Sequence, residues 1–252
     1  DSLRDRAIPA AVRCVVYPLP ATGEEKELFT AYDDLERRIL KASNLLRFKN
    51  SASFDEAASG AKLGAAIALN GSESLRQNAA HARLLCRAGV NWLCLRSPQD
   101  PVFDGKALSD WGRTLLQTLA EENGVVETTL ADSGHIAALL AAGRTKLLLR
   151  LTPVQALGLQ DFLAKRLDKK QALVILETTP DQSVDAVWRL YDGLPAGLLH
   201  VAFAHALSMA DDDKYQWVQQ LYEARRNQHG VDKTYTAMTR VMADNIKKFI
   251  SK

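Results

Sequence analysis

The stretch TKLLLRLTP, residues 145–153, joins the pattern of a strand directly to the start of a helix. Its leucine run leaves little polar surface, which is typical of a strand that is buried on both faces. Thr152 and Pro153 suit the N-cap and first position of a helix, because proline lacks the N–H that is unpaired there. The stretch therefore predicts one strand-to-helix unit of a parallel sheet. It also places Arg150 near the end of that strand, where an unpaired guanidinium is costly.

The same alternation of strands and helices extends over the chain. Apolar runs with the character of strands lie at 11–19, 62–70, 90–97, 125–130, 146–151, 171–178 and 198–204. Helical patterns lie at 24–46, 53–61, 72–89, 108–124, 133–143, 181–193, 212–228 and 232–250. Strands that recur roughly every 25–30 residues, with helices between them, favour parallel β/α units. No linker or break in composition interrupts the pattern, so we expect residues 1–252 to form a single domain.

Two α/β architectures fit this periodicity. An open doubly wound sheet is disfavoured because no glycine-rich phosphate loop follows the first strand. A TIM-type (β/α) barrel needs about eight strands, one more than the sequence shows. We therefore expect a barrel whose first strand is missing or lies upstream of residue 1, followed by two C-terminal helices.

Composition and charge exclude several classes of function. The 252 residues are 47% hydrophobic and 25% charged with a net charge of +2, so neither nucleic acid nor an anionic membrane is an expected partner. No apolar run approaches the ~18–20 residues of a membrane span. The three cysteines form no C-x-x-C pair, and the five histidines show no metal-binding spacing. No signal peptide is visible in the sequence, which agrees equally with a chain from which a signal peptide has been removed. Both the cytoplasm and the periplasm therefore remain as compartments.

Several segments carry a family resemblance. They are GAAIALNGSESL (64–75), LLCRAGVNWLCLRSPQDP (84–101), ALSDWGRTLLQTLAEENGVVETTL (107–130), KLLLRLT (146–152) and MADNIKKFI (242–250). In order and spacing they resemble the zinc-dependent membrane dipeptidase (renal dipeptidase-like) family. The resemblance covers nearly the whole chain, and most of what matches is scaffold. It implies a TIM-type barrel, a dinuclear zinc site at the mouth of that barrel, and the hydrolysis of dipeptides.

The sequence departs from this family at the zinc ligands. The family uses an H-x-D on its first strand, a bridging glutamate and two later histidines. The resemblance places Asn70 at the bridging glutamate, Leu130 and Leu151 at the histidines, and Ala206 at a later acidic residue. Leucine cannot bind zinc, and asparagine is a poor ligand for it. We therefore expect a divergent member of the family without zinc, cofactor or catalytic residues.

Charged residues near the ends of four successive strands form a second pattern. Arg96, Glu127, Arg150 and Glu177 alternate in sign along the chain. If these side chains point inward at one level, they form a chain of ion pairs across half of the barrel mouth. The alternative is that some of them point outward and pair with helices. An inward network would be either purely structural or part of a ligand site that we predict from Asn70, Arg96, Glu127, Arg150, Glu177 and His205.

Three functions follow as hypotheses. The first is a catalytically inactive barrel that acts as a binding or scaffold protein, with a protein partner, a second copy of the chain or a small carboxylate or peptide as ligand. The second is a working zinc dipeptidase. The third is a metal-free barrel enzyme that uses Glu127 or Glu177 as general acid or base. We also expect any gap in the barrel to be covered by a terminal segment or a partner, because exposed strand edges invite pairing.

Overall fold

The computed structural model of the chain describes residues 14–21, 23–47, 63–143, 145–168, 171–178, 184–195 and 198–203. Its strands are β1 Cys14–Pro18, β2 Leu45–Arg47, β3 Leu63–Asn70, β4 Trp92–Leu95, β5 Phe103–Asp104, β6 Ala107–Leu108, β7 Val125–Thr128, β8 Lys146–Leu151, β9 Ala172–Thr178 and β10 Leu199–Phe203. Its α-helices are α1 Glu25–Lys41, α2 Ala79–Arg87, α3 Asp110–Glu121, α4 Ser133–Ala141, α5 Pro153–Gly158, α6 Gln160–Arg166 and α7 Val184–Gly193. A short 3₁₀ helix spans Glu73–Leu75.

Eight strands form one sheet, and every pairing in it is parallel. The path runs β1, β3, β4, β7, β8, β9, β10, and β2 pairs with the start of β3. Sequential order with helical crossovers is the arrangement of a (β/α) barrel, so the predicted fold class is confirmed. Within the described strands, no pairing joins β1 to β10, the two ends of the path. Strands β5 and β6 form a small antiparallel hairpin.

The two faces of the sheet pack differently. One face meets the helices in a large apolar cluster, which includes Ile67, Leu93, Val126, Leu149 and Leu176 from strands and Leu28, Leu85, Leu115 and Ile136 from helices. The opposite face carries a small cluster of Val125, Leu148 and Leu173, with Trp92 and Ile175 packed against it. We call this second face the inner face. Because side chains alternate along a strand, each strand contributes every second residue to it.

For the long helix predicted at 24–46, the predicted C-terminal boundary is wrong. Helix α1 stops at Lys41, Ala42 is extended, and β2 begins at Leu45. Arg47, at the end of β2, is buried; its Nε donates to Glu36 Oε2 at 2.5 Å and its Nη2 donates to the Gly89 carbonyl at 3.2 Å. These distant partners, rather than local propensity, hold the segment in the sheet.

The helix predicted at 72–89 is divided in two. A 3₁₀ turn is followed by Arg76 and Gln77 in the left-handed region, with φ of 47° and 57°. Asn78 then caps α2, since its Oδ1 accepts from the backbone N–H of Ala80 at 3.0 Å and of His81 at 3.4 Å. An N-cap asparagine inside an apolar helical pattern was the signal for this break.

The remaining boundaries agree more closely with prediction. Ser109 caps α3 by accepting from the Gly112 N–H at 2.9 Å, and the hairpin of β5 and β6 ends at Leu108, the first residue of the helix predicted at 108–124. Thr152 caps α5 as predicted: its Oγ1 accepts from the Gln155 N–H at 3.3 Å, and Gln155 Oε1 accepts from the Thr152 N–H at 2.9 Å. The helices predicted at 53–61, 212–228 and 232–250 lie outside the described residues. Within those residues, no helix has the length and apolarity needed to span a membrane.

Candidate functional site at the carboxyl ends of the strands

Strand register places the predicted charged residues on the inner face. Cys94 pairs with Asn70 on one side and with Glu127 on the other, so these three side chains share a face. Arg96 comes two residues after Cys94, and Arg150 comes two residues after Leu148 of the inner cluster. They therefore extend the same face toward the carboxyl ends, where (β/α) barrels place their functional groups.

Arg150 contacts two carboxylates at once. Its Nη1 donates to Glu127 Oε1 at 3.0 Å, and its Nη2 donates to Glu177 Oε1. The Glu127 side chain is 5% exposed, that of Glu177 28% and that of Arg150 33%. We call Glu127, Arg150 and Glu177 the ion triad. Its two carboxylates compensate the charge that Arg150 brings into the leucine-rich strand. The predicted inward pairing is confirmed for these three residues.

The charges of the ion triad do not lie at one level of the barrel. Glu127 pairs across the sheet with Leu148, whereas Arg150 pairs with Ile175, and Glu177 lies two residues further along β9. The charges are therefore staggered along the barrel, and the long arginine side chain reaches diagonally to both carboxylates. The stagger follows from the tilt of strands in a barrel, which sequence alternation does not reveal.

The environment of Arg150 keeps it charged. Burial acts to lower the pKa of Arg150, but the charges and hydrogen bonds of Glu127 and Glu177 outweigh burial and leave that pKa above its ordinary value. The second oxygen of Glu127 accepts from Trp92 Nε1 at 3.2 Å. Arg150 Nε is buried and makes no hydrogen bond. The guanidinium is thus fixed through its two terminal nitrogens.

Arg96 has different surroundings. Its side chain is exposed, and within the described ranges no carboxylate lies at ion-pair distance from it. It faces Cys94. Burial raises the pKa of the Cys94 thiol to about 12 and Glu127 adds to the rise, while Arg96, Arg150 and a hydrogen bond from Arg96 oppose it. The predicted chain of four charges therefore ends at Glu127, and Arg96, the fourth charge, stands apart from it.

The other predicted positions divide between the two faces. Asn70 is half-buried on the inner face beside Cys94. Leu151 is 1% exposed and belongs to the helix-side cluster, and Leu130 packs against that cluster. The positions that the resemblance aligns with zinc-binding histidines thus lie on the helix side of the sheet. His205 lies outside the described residues, and ligand binding by these residues remains a prediction.

Two features near the strand ends were not predicted. Trp92 joins the inner face through its bond to Glu127, although a lone tryptophan in a strand run gave no signal for that role. Buried Asp100 accepts from Ser72 Oγ at 2.6 Å and from the Ser72 N–H at 2.9 Å, and Trp111 Nε1 donates to Ser72 Oγ at 3.2 Å. These bonds fix the loop after β3 against the loop after β4. In the sequence, Asp100 followed by Pro101 indicated only a turn.

The donor set of the inner face does not fit a dinuclear zinc centre. Each zinc ion needs about four nitrogen, sulfur or carboxylate donors. Throughout the described part of the chain, no group of three or more His, Cys, Asp and Glu side chains is placed to hold a metal ion. The two glutamates of the ion triad already accept from Arg150, whose charge would repel a divalent ion. With two carboxylates and one guanidinium the triad keeps one net negative charge, but both of its carboxylates are already bonded to Arg150.

The fold and this site define an α/β barrel with an internal ion cluster at the carboxyl ends of its strands. No family profile and no curated protein matches the sequence, but solved structures match 98% of the chain. An amidohydrolase from Pseudomonas aeruginosa has a TM-score of 0.72 at 10% identity, over 91% of its length. The metallopeptidase dipeptidase AC has a TM-score of 0.66 at 13% identity, over 87% of its length. A metallopeptidase from Rhodobacter sphaeroides, solved with a phosphinate mimic of the dipeptide L-Ala-D-Ala, has 0.64 at 13% identity over 88%. At these identities the similarity establishes the fold alone.

Proposed function

We propose that the chain is a catalytically inactive barrel of the membrane dipeptidase type, which works without zinc as a binding or scaffold protein. The observation that carries the proposal is the bonding of Arg150 to Glu127 and Glu177 at the carboxyl ends of the strands. This is the end at which (β/α) barrels hold catalytic groups. In this chain the guanidinium of Arg150, which is always charged, is bonded to the carboxylates that a metal centre would need as ligands.

Electrostatics support this proposal. A guanidinium does not lose its proton at any pH at which the protein is folded, so Arg150 cannot become neutral to make room for a metal ion. Two divalent ions beside it would be strongly repelled in a partly buried site. The buried carboxylate of the cluster already has two hydrogen-bond donors, because Glu127, whose side chain is 5% exposed, accepts from both Arg150 and Trp92.

The ligand part of the proposal rests on the residues of the inner face around the triad. Asn70, Arg96, Glu127, Arg150 and Glu177 are the described candidates for contact with a small ligand or a peptide segment. A protein partner or a second copy of the chain is the alternative occupant, at the edges of β1 and β10, the two ends of the strand path. Covering a sheet edge in this way satisfies backbone groups that otherwise need water.

Metal content and dipeptide hydrolysis test the proposal together. The chain is treated with a chelator, incubated with excess zinc, freed of unbound metal and analysed by elemental mass spectrometry. The same sample is then assayed on L-Ala-D-Ala. We expect well below one tightly bound zinc per chain and no hydrolysis above the rate without protein. Two tight zinc equivalents, with hydrolysis that a chelator abolishes, would refute the proposal.

A zinc dipeptidase is the second candidate, and the fold comparison favours it. Two of the matched structures are metallopeptidases, and one of them holds a mimic of a dipeptide. In this case the zinc donors would come from residues beyond those that the structure describes, and Arg150 would have to move away from the carboxylates. The zinc titration separates the two candidates, because only the dipeptidase gains both metal and activity.

A further inference from the structure

The hairpin of β5 and β6 contacts the start of α4 through its turn. Residues 104–107, which we call the hairpin tip, are exposed, and Gly105 turns the chain there with a φ of 59°. An added Cβ at Gly134, in the first turn of α4, would lie 2.9 Å from Lys106 Cδ, so the two segments touch. A two-stranded hairpin is only marginally stable by itself. The contacts of the tip with α4 therefore decide how firmly the hairpin is held.

The central contact is made by His135, a histidine that is 7% exposed and lies between two oxygen acceptors. Its Nδ1 is 3.1 Å from Asp132 Oδ1, and its Nε2 is 3.2 Å from the carbonyl oxygen of Gly105 in the tip. The ring also packs edge-on against Phe103, with 4.9 Å between the ring centroids. A neutral imidazole has one N–H and can donate to only one of the two oxygens, whereas an imidazolium donates to both. The second hydrogen bond therefore requires the protonated ring.

The charges around His135 come from the start of α4 and from the hairpin tip. Lys106 Nζ donates to Asp132 Oδ2 at 2.8 Å; Asp104, the other charge of the tip, is exposed, and the rest of α4 carries no charged side chain. The hydrogen bond from Lys106, followed by that from the His135 N–H, holds the pKa of Asp132 at about 2, so this carboxylate is an anion at neutral pH. Asp132 favours protonation of the imidazole, whereas Lys106 and the amino end of α4 oppose it. Of these groups, histidine is the type that changes charge between about pH 5 and 8.

We propose that the hairpin tip is a pH-sensitive latch, held on α4 by the two hydrogen bonds of protonated His135 and released when His135 loses its proton. This inference goes beyond the proposed function and does not rest on it. Loss of the proton removes one of two charge-assisted bonds, so the tip is held at acidic pH and loosens as the pH rises through about 5–8. The hairpin lies in the connection from β4 to α3, at the carboxyl ends of the strands. Its release therefore alters the end at which (β/α) barrels bind ligands.

Hydrogen exchange of the full chain, read by mass spectrometry at about pH 5.5 and about pH 8, tests the latch. Rates are corrected for the effect of pH on exchange of an unstructured chain. Peptides that cover 103–108 report on the hairpin, and peptides that cover α3 are the internal reference. We expect protection of 103–108 to fall about 10-fold or more between the two pH values, which is the effect of losing one charged hydrogen bond, while protection of α3 stays the same.

Three variants identify the group that titrates. His135→Gln should abolish the pH dependence, because glutamine is neutral at both pH values. His81→Gln is the matched control and should keep it, because His81 on α2 also contacts a carboxylate, Glu25 Oε1 at 3.1 Å, but that carboxylate lies on α1. Lys106→Met should lower protection at both pH values and keep the pH dependence, since it removes a contact that does not titrate in this range.

Four results would each overturn the inference. They are equal protection of 103–108 at the two pH values in wild type, an equal fall in α3, a pH dependence that survives His135→Gln, and its loss in His81→Gln or Lys106→Met. The first two need no variant, so the wild-type chain decides the matter even if His135→Gln does not fold.

Discussion

Replacing Arg150 with methionine tests whether the charges of the ion triad depend on one another. Methionine fills much of the same space without charge, so Glu127 and Glu177 lose their shared cation. Removing one partner of a buried ion pair costs about 3–5 kcal/mol, whereas an exposed pair contributes about 0–1 kcal/mol. Glu127 is 5% exposed and Glu177 28%. We therefore expect Arg150→Met to lower the free energy of unfolding by about 2–3 kcal/mol.

Urea unfolding measures this loss. With an m-value of about 2–3 kcal/mol/M, the unfolding midpoint should fall by roughly 1 M urea. Arg113→Met is the matched control, because Arg113 pairs with Asp110 on the surface, where the two side chains are 60% and 99% exposed. That control should change the free energy of unfolding by less than about 0.5 kcal/mol.

The triple variant Glu127→Gln, Arg150→Met, Glu177→Gln separates charge from packing. It removes all three charges together, so no uncompensated carboxylate remains on the inner face. We expect it to regain more than half of the stability that Arg150→Met loses, because neutral replacements of a buried ion cluster are often tolerated. A single variant within about 0.5 kcal/mol of wild type, or a triple variant no more stable than the single one, would contradict the interdependence of the charges.

Three smaller predictions concern the frame of the site. Gly112→Ala should destabilise the fold by about 1–3 kcal/mol in thermal unfolding, because an added Cβ would lie 2.1 Å from the Val102 carbonyl oxygen. Thr152→Ala should cost about 1 kcal/mol in urea unfolding through loss of the α5 cap. Burial raises the pKa of the Cys86 and Cys94 thiols from 9.0 to about 12. The protonated thiols therefore support the fold fully below pH 9, and this support is lost as the pH rises toward 12. Between about pH 8 and 11 the urea midpoint should fall less in Cys86→Ala, Cys94→Ala than in wild type.

Much of the fold was predictable because strands and helix starts have local signals. The leucine run before Thr152 and Pro153 marks β8 and the start of α5, and both form as predicted. The strand Leu45–Arg47 was not predictable, because Leu45 and Leu46 fit the helical spacing of the apolar residues in α1 and so extend its pattern. It is held by the buried contacts of Arg47 with Glu36 and with the Gly89 carbonyl, residues that only the folded chain brings together.

The composition of the site was predictable, whereas its geometry was not. Alternating signs along the chain indicated that Arg150 has carboxylate partners, and Glu127 and Glu177 are those partners. Register decides which charges meet, and it depends on how the strands tilt against one another. Arg96 consequently stands outside the cluster. The contribution of Trp92 also depends on register, since it lies two residues before Cys94 on the same face as Glu127.

The alternation of side chains between the two faces of a strand also determines at which positions a metal site could be introduced. Leu151, aligned by the resemblance with a zinc-binding histidine, is 1% exposed in the helix-side cluster, whereas Arg150 occupies the inner face. A histidine introduced at Leu151 would enter an apolar core, where burying an unpaired polar ring is costly. Leu151→His should therefore lower the thermal unfolding temperature without raising zinc affinity in a calorimetric titration. A stable Leu151→His variant that binds zinc tightly would show that this position faces the barrel interior, and that Arg150 does not stand in the way of a metal.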